Sequence, residues 1–318
     1  MSEHTEALSR LAARDAASLA AMGIDATSDA DKIAAMSRII SDLHTPIMQA
    51  RFVYARLIKH LQQSELTINF KAFKFFNKKP ENEKYVSQFE GGNTWGDPTY
   101  MDMRDQTEEA LFDYSGTRAV TSKAAPVQQR VQQLGQRGGT DFEGAVRPKY
   151  AALNYARLKY GSAAQWGKSY MVLKEYVKHG ATYVHTDSFD LAGSARQRAL
   201  LTGQVANFLH MQRLIVNMSP SMLTALDSAS RGVSFGEAVQ PPGIGDTCYV
   251  EAHVHSEIRF ERDIQKLVIN QGEVDDCETQ TQKLHTNDKK RWKVLTSKKL
   301  IERFEKFAEK YRIAVEFS

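Results

Sequence analysis

Apolar side chains recur every three or four residues through residues 31–63: Ile33, Met36, Ile39, Ile40, Leu43 and Ile47, then Phe52, Val53, Leu57, Ile58 and Leu61. That spacing puts them on one stripe of a helix. Pro46 has no amide hydrogen to donate, so it ends or kinks the first helix and a second begins after it. At Leu66–Phe70 the period changes to two, with Thr67 and Asn69 set against Ile68 and Phe70, which predicts a strand. Gly91, Gly92, Gly96 and Pro98 make residues 85–100 a loop. Residues 105–114 read as one short helix, and the Gln-rich stretch 126–139 as a linker or an exposed helix.

Short apolar or aromatic runs then follow at residues 149–155 (KYAALNY), 168–173 (KSYMVL) and 181–185 (ATYVH), each bounded by Gly or charged residues. They predict strands. A helical insert is expected over 194–218, from Leu200, Leu201, Val205, Phe208, Leu209 and Ile215. Ser219 and Pro220 supply an N-cap and a first helical position for another helix through Leu226. Residues 232–245, with Pro241 and Pro242, read as a long loop. Residues 247–260 (TCYVEAHVHSEIRF) carry the strongest strand pattern in the chain. A last helix over 296–311 has the stripe Leu300, Ile301, Phe304, Phe307 and Tyr311, and a closing strand spans 313–317. Helices first and short strands later do not suit an alternating βαβ fold. The order predicts an α+β protein with antiparallel sheets.

Composition narrows the function classes. The chain has 318 residues, 42% apolar and 25% charged, enough for one large domain or two modest ones. No run approaches the roughly 18 apolar residues of a membrane span, and no Sec-type signal pattern opens the chain. A net charge of +4 is too small to imply nucleic-acid binding. Cys248 and Cys277 form no CxxC motif, which points to a reducing compartment. Residues 1–32 are Ala- and Ser-rich, and read either as a weakly held helix or as a disordered segment. The expected organisation is this leader, then 33–190 as N-terminal helices and the first part of a core. Residues 191–245 form the insert and long loop, and 246–318 the second part of the core.

Candidate chemistry concentrates on the 250–260 strand, where alternation puts Glu251, His253, His255 and Glu257 on one face and Val250, Ala252, Val254 and Ile258 on the other. A row of ionisable groups marks either a solvated sheet face or a cleft wall. His185-Thr186-Asp187-Ser188 closes an apolar run and reads either as an Asx turn or as a second wall. Two sites compete. His185 and Asp187 with His253 or His255 match a 2-His-1-carboxylate metal site. Glu251 and Asp187 match a metal-free acid pair. Arg147 at a strand entrance either holds a phosphate or solvates the strand end. The Gly-rich segment 88–93 lacks GK[ST] and does not follow a strand, so it is neither a Walker motif nor a dinucleotide fingerprint. The basic residues over 289–312 read as a solvated helix face.

Several segments taken in order carry a resemblance: TINF (67–70), YVSQFEGG (85–92), RDQTEEALF (104–112), RPKYAALNY (147–155), GKSYMVL (167–173), TDS (186–188) and YVEAHVHSEIRFERDIQKLV (249–268). Over roughly residues 50–270 the chain resembles a bacterial family of CteC-like effector ADP-ribosyltransferases. The resemblance implies a PARP-like transferase core and NAD as co-substrate. It implies transfer of one ADP-ribose to a threonine of host ubiquitin, which blocks ubiquitination. It also implies an exported effector that acts in the host cytoplasm as a monomer, without nucleic-acid or membrane partners. Carried over residue by residue, the catalytic pair falls on Glu251 and Asp187, with Asp190 and Asp246 as substitutes for the aspartate. Arg147, Tyr150, Ser169, Tyr170, Ser188 and His253 fall on the NAD pocket, and no metal is implied. Relatives carry Gly at the positions of Ala152 and Ser256, and often Gln at that of His253. Carboxylates on a pocket wall suit the chemistry, since one can stabilise a ribosyl cation and the other can take a hydroxyl proton. The insert at 194–226 and the loop at 232–245 either help to dock ubiquitin or simply pack into the core. The remaining alternatives are a metal-dependent oxygenase or hydrolase and a non-catalytic ubiquitin-binding protein.

Overall fold

Leu66–Phe70 forms the strand that its alternation predicts and takes the centre of the fold. The computed structural model describes residues 29–77, 83–86, 107–108, 148–188, 204–245, 248–289 and 291–318. The leader up to residue 28, the stretch 126–139, Arg147, Asp190, Asp246 and most of 85–100 and 105–114 lie outside the described residues. The strands are β1 (Leu66–Phe70), β2 (Lys149–Leu153), β3 (Ser169–Leu173), β4 (Ala181–Val184), β5 (Ala206–Asn207), β6 (Glu251–Val254), β7 (Ile264–Ile269) and β8 (Ala314–Phe317). Among the described residues these eight make one sheet in the order β5-β4-β6-β2-β1-β3-β7-β8. Every pair is antiparallel except β7 with β8, which is parallel. The α+β class follows, with a mostly antiparallel sheet.

The two faces of the sheet differ. Ile68, Phe70, Ala151, Leu153, Met171, Leu173, Tyr183, Ala252 and Val254 point to one side and join the main apolar core. Helices α1 (Asp29–Asp42), α2 (Ile47–Gln63), α3 (Gln212–Asn217), α4 (Pro220–Ser230), α5 (Cys277–Asn287) and α6 (Ser297–Tyr311) contribute Ile39, Leu57, Leu61, Leu214, Leu226, Cys277, Phe304 and Phe307 to that core. The alternate residues Thr67, Asn69, Tyr150, Ala152, Thr182, Glu251 and His253 face the other way.

Local signals account for the helix ends. Pro46 is the N-cap of α2, and His44 before it adopts a left-handed φ of +50°, so the chain breaks where the proline requires it. Ser219 Oγ accepts from the Met222 amide and Pro220 is the first residue of α4. Thr296 Oγ1 caps α6 in the same way, through Lys299 N. One part of the expected core stripe is outside: Ile33, Ile47 and Phe52 are exposed, while Ile39, Val53, Leu57 and Leu61 are buried.

Three expectations are corrected. The insert is not helical from 204 to 211. Asn207 Oδ1 accepts from the amides of Leu209 and His210, both at 3.0 Å, and this local turn competes with helix and leaves room for the two-residue edge strand β5. The strand expected over 247–260 is confined to Glu251–Val254, because residues 255–259 turn away and Phe260–Asp263 is a helical turn. Asp263 anchors that turn by accepting from Arg259 N at 2.6 Å and Arg262 Nε at 2.7 Å. The apolar run behind it, IQKLVI, is β7, a strand that the pattern reading did not separate.

The described part of the insert is fastened to the N-terminal helices. Arg38 donates to the carbonyls of Val216 and Met218 at 2.6 and 2.8 Å, satisfying the end of α3. Arg213 pairs with Asp31, and Arg56 with Asp227. Residues 204–230 are therefore packed structure.

The connection 154–168 crosses the second sheet face. Asn69 Nδ2 donates to the carbonyls of Tyr160 and Gly167 at 2.7 and 2.9 Å, and Ala163 N donates to Asn69 Oδ1. Gly167 sits at φ +149°, where a Cβ would overlap the Phe70 carbonyl. Both strain and overlap oppose any side chain there. Gly167→Ala is expected to lower the unfolding free energy by about 3 kcal/mol or more in denaturant titrations. Gly236→Ala, at φ +58° with nothing within 4 Å, is expected to cost only about 1 kcal/mol.

Candidate functional site

β6 lies between β4 and β2, and its register decides what meets on the second face. Glu251 is level with Val184 on one side and Ala152 on the other. His253 is level with Thr182 and Tyr150. The sequence EAHV sends its carboxylate and imidazole to one face and Ala252 and Val254 to the core, as period-two alternation requires. Neither group is solvated: Glu251 is 2% exposed and His253 0%. The solvated-face reading of this row is thereby replaced by a buried polar cluster.

Burying a carboxylate demands hydrogen-bond donors. Glu251 Oε1 lies 2.6 Å from His253 Nε2 and accepts from the Ser188 amide at 3.3 Å. Its other oxygen, Oε2, accepts from the Tyr249 hydroxyl at 3.2 Å. That hydroxyl also lies 3.3 Å from Asp187 Oδ2. Asp187 is 8% exposed and reaches the cluster from the turn after β4. The two carboxylates singled out from the sequence therefore converge, although they sit on different strands' ends.

A second layer steadies the imidazole. The Tyr150 ring meets His253 edge to face, with centroids 5.3 Å apart, and the Tyr150 hydroxyl donates to Glu108 Oε1 at 2.6 Å. His255 Nε2 is 2.8 Å from Thr182 Oγ1, and the His255 amide donates to Gly180 O. Tyr249, Thr182 and Glu108 were not singled out from the sequence. Tyr249 was within reach of it, because it extends the 251–253–255 alternation two residues back. Glu108 lay within the RDQTEEALF segment, where nothing set it apart from the adjacent Glu109.

The residues expected at an NAD pocket divide into two groups. Tyr150, Ser188 and His253 belong to the cluster around Glu251. Ser169 and Tyr170 are on β3, separated from β6 by β2 and β1, about 14 Å at the usual strand spacing. Ser169 Oγ donates to Glu273 at 2.8 Å and accepts from the Asn270 amide. The Tyr170 hydroxyl donates to Lys159 O at 3.2 Å. Both side chains are engaged in holding the neighbouring connections. Arg147 lies outside the described residues.

The metal alternative gains no ligand set. Among the described residues no group of three or more His, Cys, Asp or Glu side chains is arranged to hold an ion. His253 is turned to Glu251 and His255 to Thr182. Cys248 and Cys277 are free thiols, and burial pushes Cys277 up to about 11, so it is an inert core group. Among the described residues no helix is long and apolar enough to cross a membrane.

Comparison with known proteins adds a family without an activity. The sequence model of the family described as "Protein of unknown function (DUF3626)" matches residues 77–312. A search of the curated proteins found no match.

His185, beside the acid pair in sequence, has a pKa lowered from 6.5 to about 4, by burial first and the Arg38 charge second. Its Nδ1 has no hydrogen-bond partner among the described residues. The unfolded chain binds the proton more readily between those values, so this group makes stability fall as pH drops through about 6.5 to 4. His185→Gln is expected to flatten that part of the acid limb in pH-dependent unfolding. Burial lowers His60, His179 and His210 in the same direction, so the limb should shrink and not vanish.

Proposed function

The chain belongs to the DUF3626 family, whose description assigns no activity, and from its buried acid pair we propose that it is a mono-ADP-ribosyltransferase. It moves ADP-ribose from NAD to a threonine hydroxyl of host ubiquitin, on a PARP-like core. The observation that carries the reading is the meeting of Glu251 and Asp187 across β4 and β6, in one hydrogen-bonded cluster on the face opposite the core. The resemblance of residues 50–270 to effector transferases supplies the substrate and the site of action. The protein then works as an exported effector.

The division of labour follows from the surroundings of each acid. Cleaving the nicotinamide–ribose bond builds positive charge at the ribose C1′. Glu251 is held by His253 and the Tyr249 hydroxyl, so its carboxylate is fixed in place before the reaction. A ribose hydroxyl binds Glu251 by displacing the Ser188 amide contact at 3.3 Å, and the bonds from His253 and Tyr249 stay. Asp187, at the edge of the cluster, takes the proton of the incoming hydroxyl as it attacks. Burial of both groups keeps bulk water away and strengthens their action on charge.

Intact-mass spectrometry of ubiquitin incubated with the protein and NAD tests this directly. The expected product carries one added ADP-ribose. Glu251→Gln is expected to slow its formation by about 10²–10³-fold, and Asp187→Asn by about 10²–10⁴-fold. An unmodified ubiquitin at full NAD, with the wild-type protein folded, would overturn the ubiquitin assignment.

A further inference from the structure

We infer that Tyr249 is the positioning residue that couples the two acids and so decides whether ADP-ribose reaches a protein hydroxyl or water. This inference rests on the transferase reading above.

The ring and the hydroxyl of Tyr249 have separate jobs. The ring packs with Ala152 and Ala163, between the floor of the sheet and the connection that crosses it. Its position is set by apolar contact. The hydroxyl is 3.2 Å from Glu251 Oε2 and 3.3 Å from Asp187 Oδ2. A phenol has one proton to donate, so it cannot donate to both carboxylates at once. Its proton can serve one of them while its lone pairs accept from the other only when that other is protonated.

This gives the hydroxyl a different partner at each stage. In the first stage the C1′–N bond breaks and its electron pair leaves with neutral nicotinamide. Glu251 faces the ribosyl cation. In the second stage a lone pair of the acceptor oxygen forms the C1′–O bond, and the acceptor's proton passes to the Asp187 carboxylate and then to solvent. Once Asp187 holds that proton it donates to Tyr249 Oη, which donates on to Glu251. Tyr249 therefore stabilises the protonated form of Asp187 that attack by a weakly acidic hydroxyl requires. When water forms the C1′–O bond instead, its proton passes directly to neighbouring solvent, so hydrolysis draws on Glu251 and leaves this chain of bonds unused.

The test separates the two stages. Nicotinamide release and ubiquitin labelling are measured side by side for wild type, Tyr249→Phe, Asp187→Asn and Glu251→Gln, using NAD labelled in each half. Tyr249→Phe keeps the ring, and its thermal melt checks the fold. It is expected to release nicotinamide at close to the wild-type rate while labelling ubiquitin about tenfold less per nicotinamide released, the worth of one hydrogen bond to a charged group. The KM for NAD should stay unchanged. Asp187→Asn should shift the ratio the same way, and Glu251→Gln should lose both products. If Tyr249→Phe does not fold, 3,5-difluorotyrosine at position 249 keeps ring and hydroxyl but weakens the phenol's hold on its proton. A changed transfer-to-hydrolysis ratio then supports the role and an unchanged one removes it. A wild type that transfers, beside a Tyr249→Phe protein with an unaltered ratio or with a raised KM and loss of both products, overturns the role of Tyr249 alone. A wild type that releases no nicotinamide overturns the transferase reading and this role together.

Discussion

The register of β6 between β4 and β2 is the constraint on which the rest depends. Because strand side chains alternate with a period of two, a slip of one residue would turn Glu251 and His253 into the apolar core and bring Ala252 and Val254 to the polar face. The core forbids that slip. Ala252 and Val254 pack with Ala151, Leu153 and Tyr183, all within one apolar cluster. Hydrophobic burial on one side of the sheet thus fixes the position of ionisable groups on the other. The site gains its precision from residues that have no chemistry of their own.

The cluster has a graded character. His253, Tyr150 and Glu108 form a closely held set, with bonds of 2.6 Å and an edge-to-face ring contact. Tyr249, Asp187 and the Ser188 amide make longer contacts, of 3.2–3.3 Å. Short charge-assisted bonds resist displacement and longer ones yield more readily. The cluster thus joins groups that can exchange partners to groups that are held more closely.

Much of this was legible in the chain, for identifiable reasons. The strand runs at 66–70, 149–153, 169–173 and 181–184 are short, apolar and bounded by turn residues, and the α6 stripe is strict. Where the reading failed, a local interaction or a distant partner had decided the outcome. Asn207 folds its side chain onto its own backbone and cancels a helix that the apolar spacing favoured. Asp263 gathers Arg259 and Arg262 into a turn and shortens a strand that alternation had extended. Glu251 could be singled out because ionisable residues on a strand are conspicuous, and Asp187 because it closes an apolar run in the TDS segment that carries the resemblance. Ser169 and Tyr170 could not be placed correctly without the strand order, which sets them beyond two intervening strands. Strand order depends on pairing between segments far apart in sequence, and no local pattern records it.

The same long-range pairing has a consequence for the protein's life before it is folded. Glu251 meets Ser188 across 63 residues, and Tyr150 meets Glu108 across 42. Non-local contacts of this kind form late, since the entropy of closing each loop must be overcome first. No short fragment carries the acid pair, and a chain held open during synthesis has not yet assembled it. The buried cluster exists only when the sheet has closed, so burial of the Tyr249 ring would itself report the completion of folding.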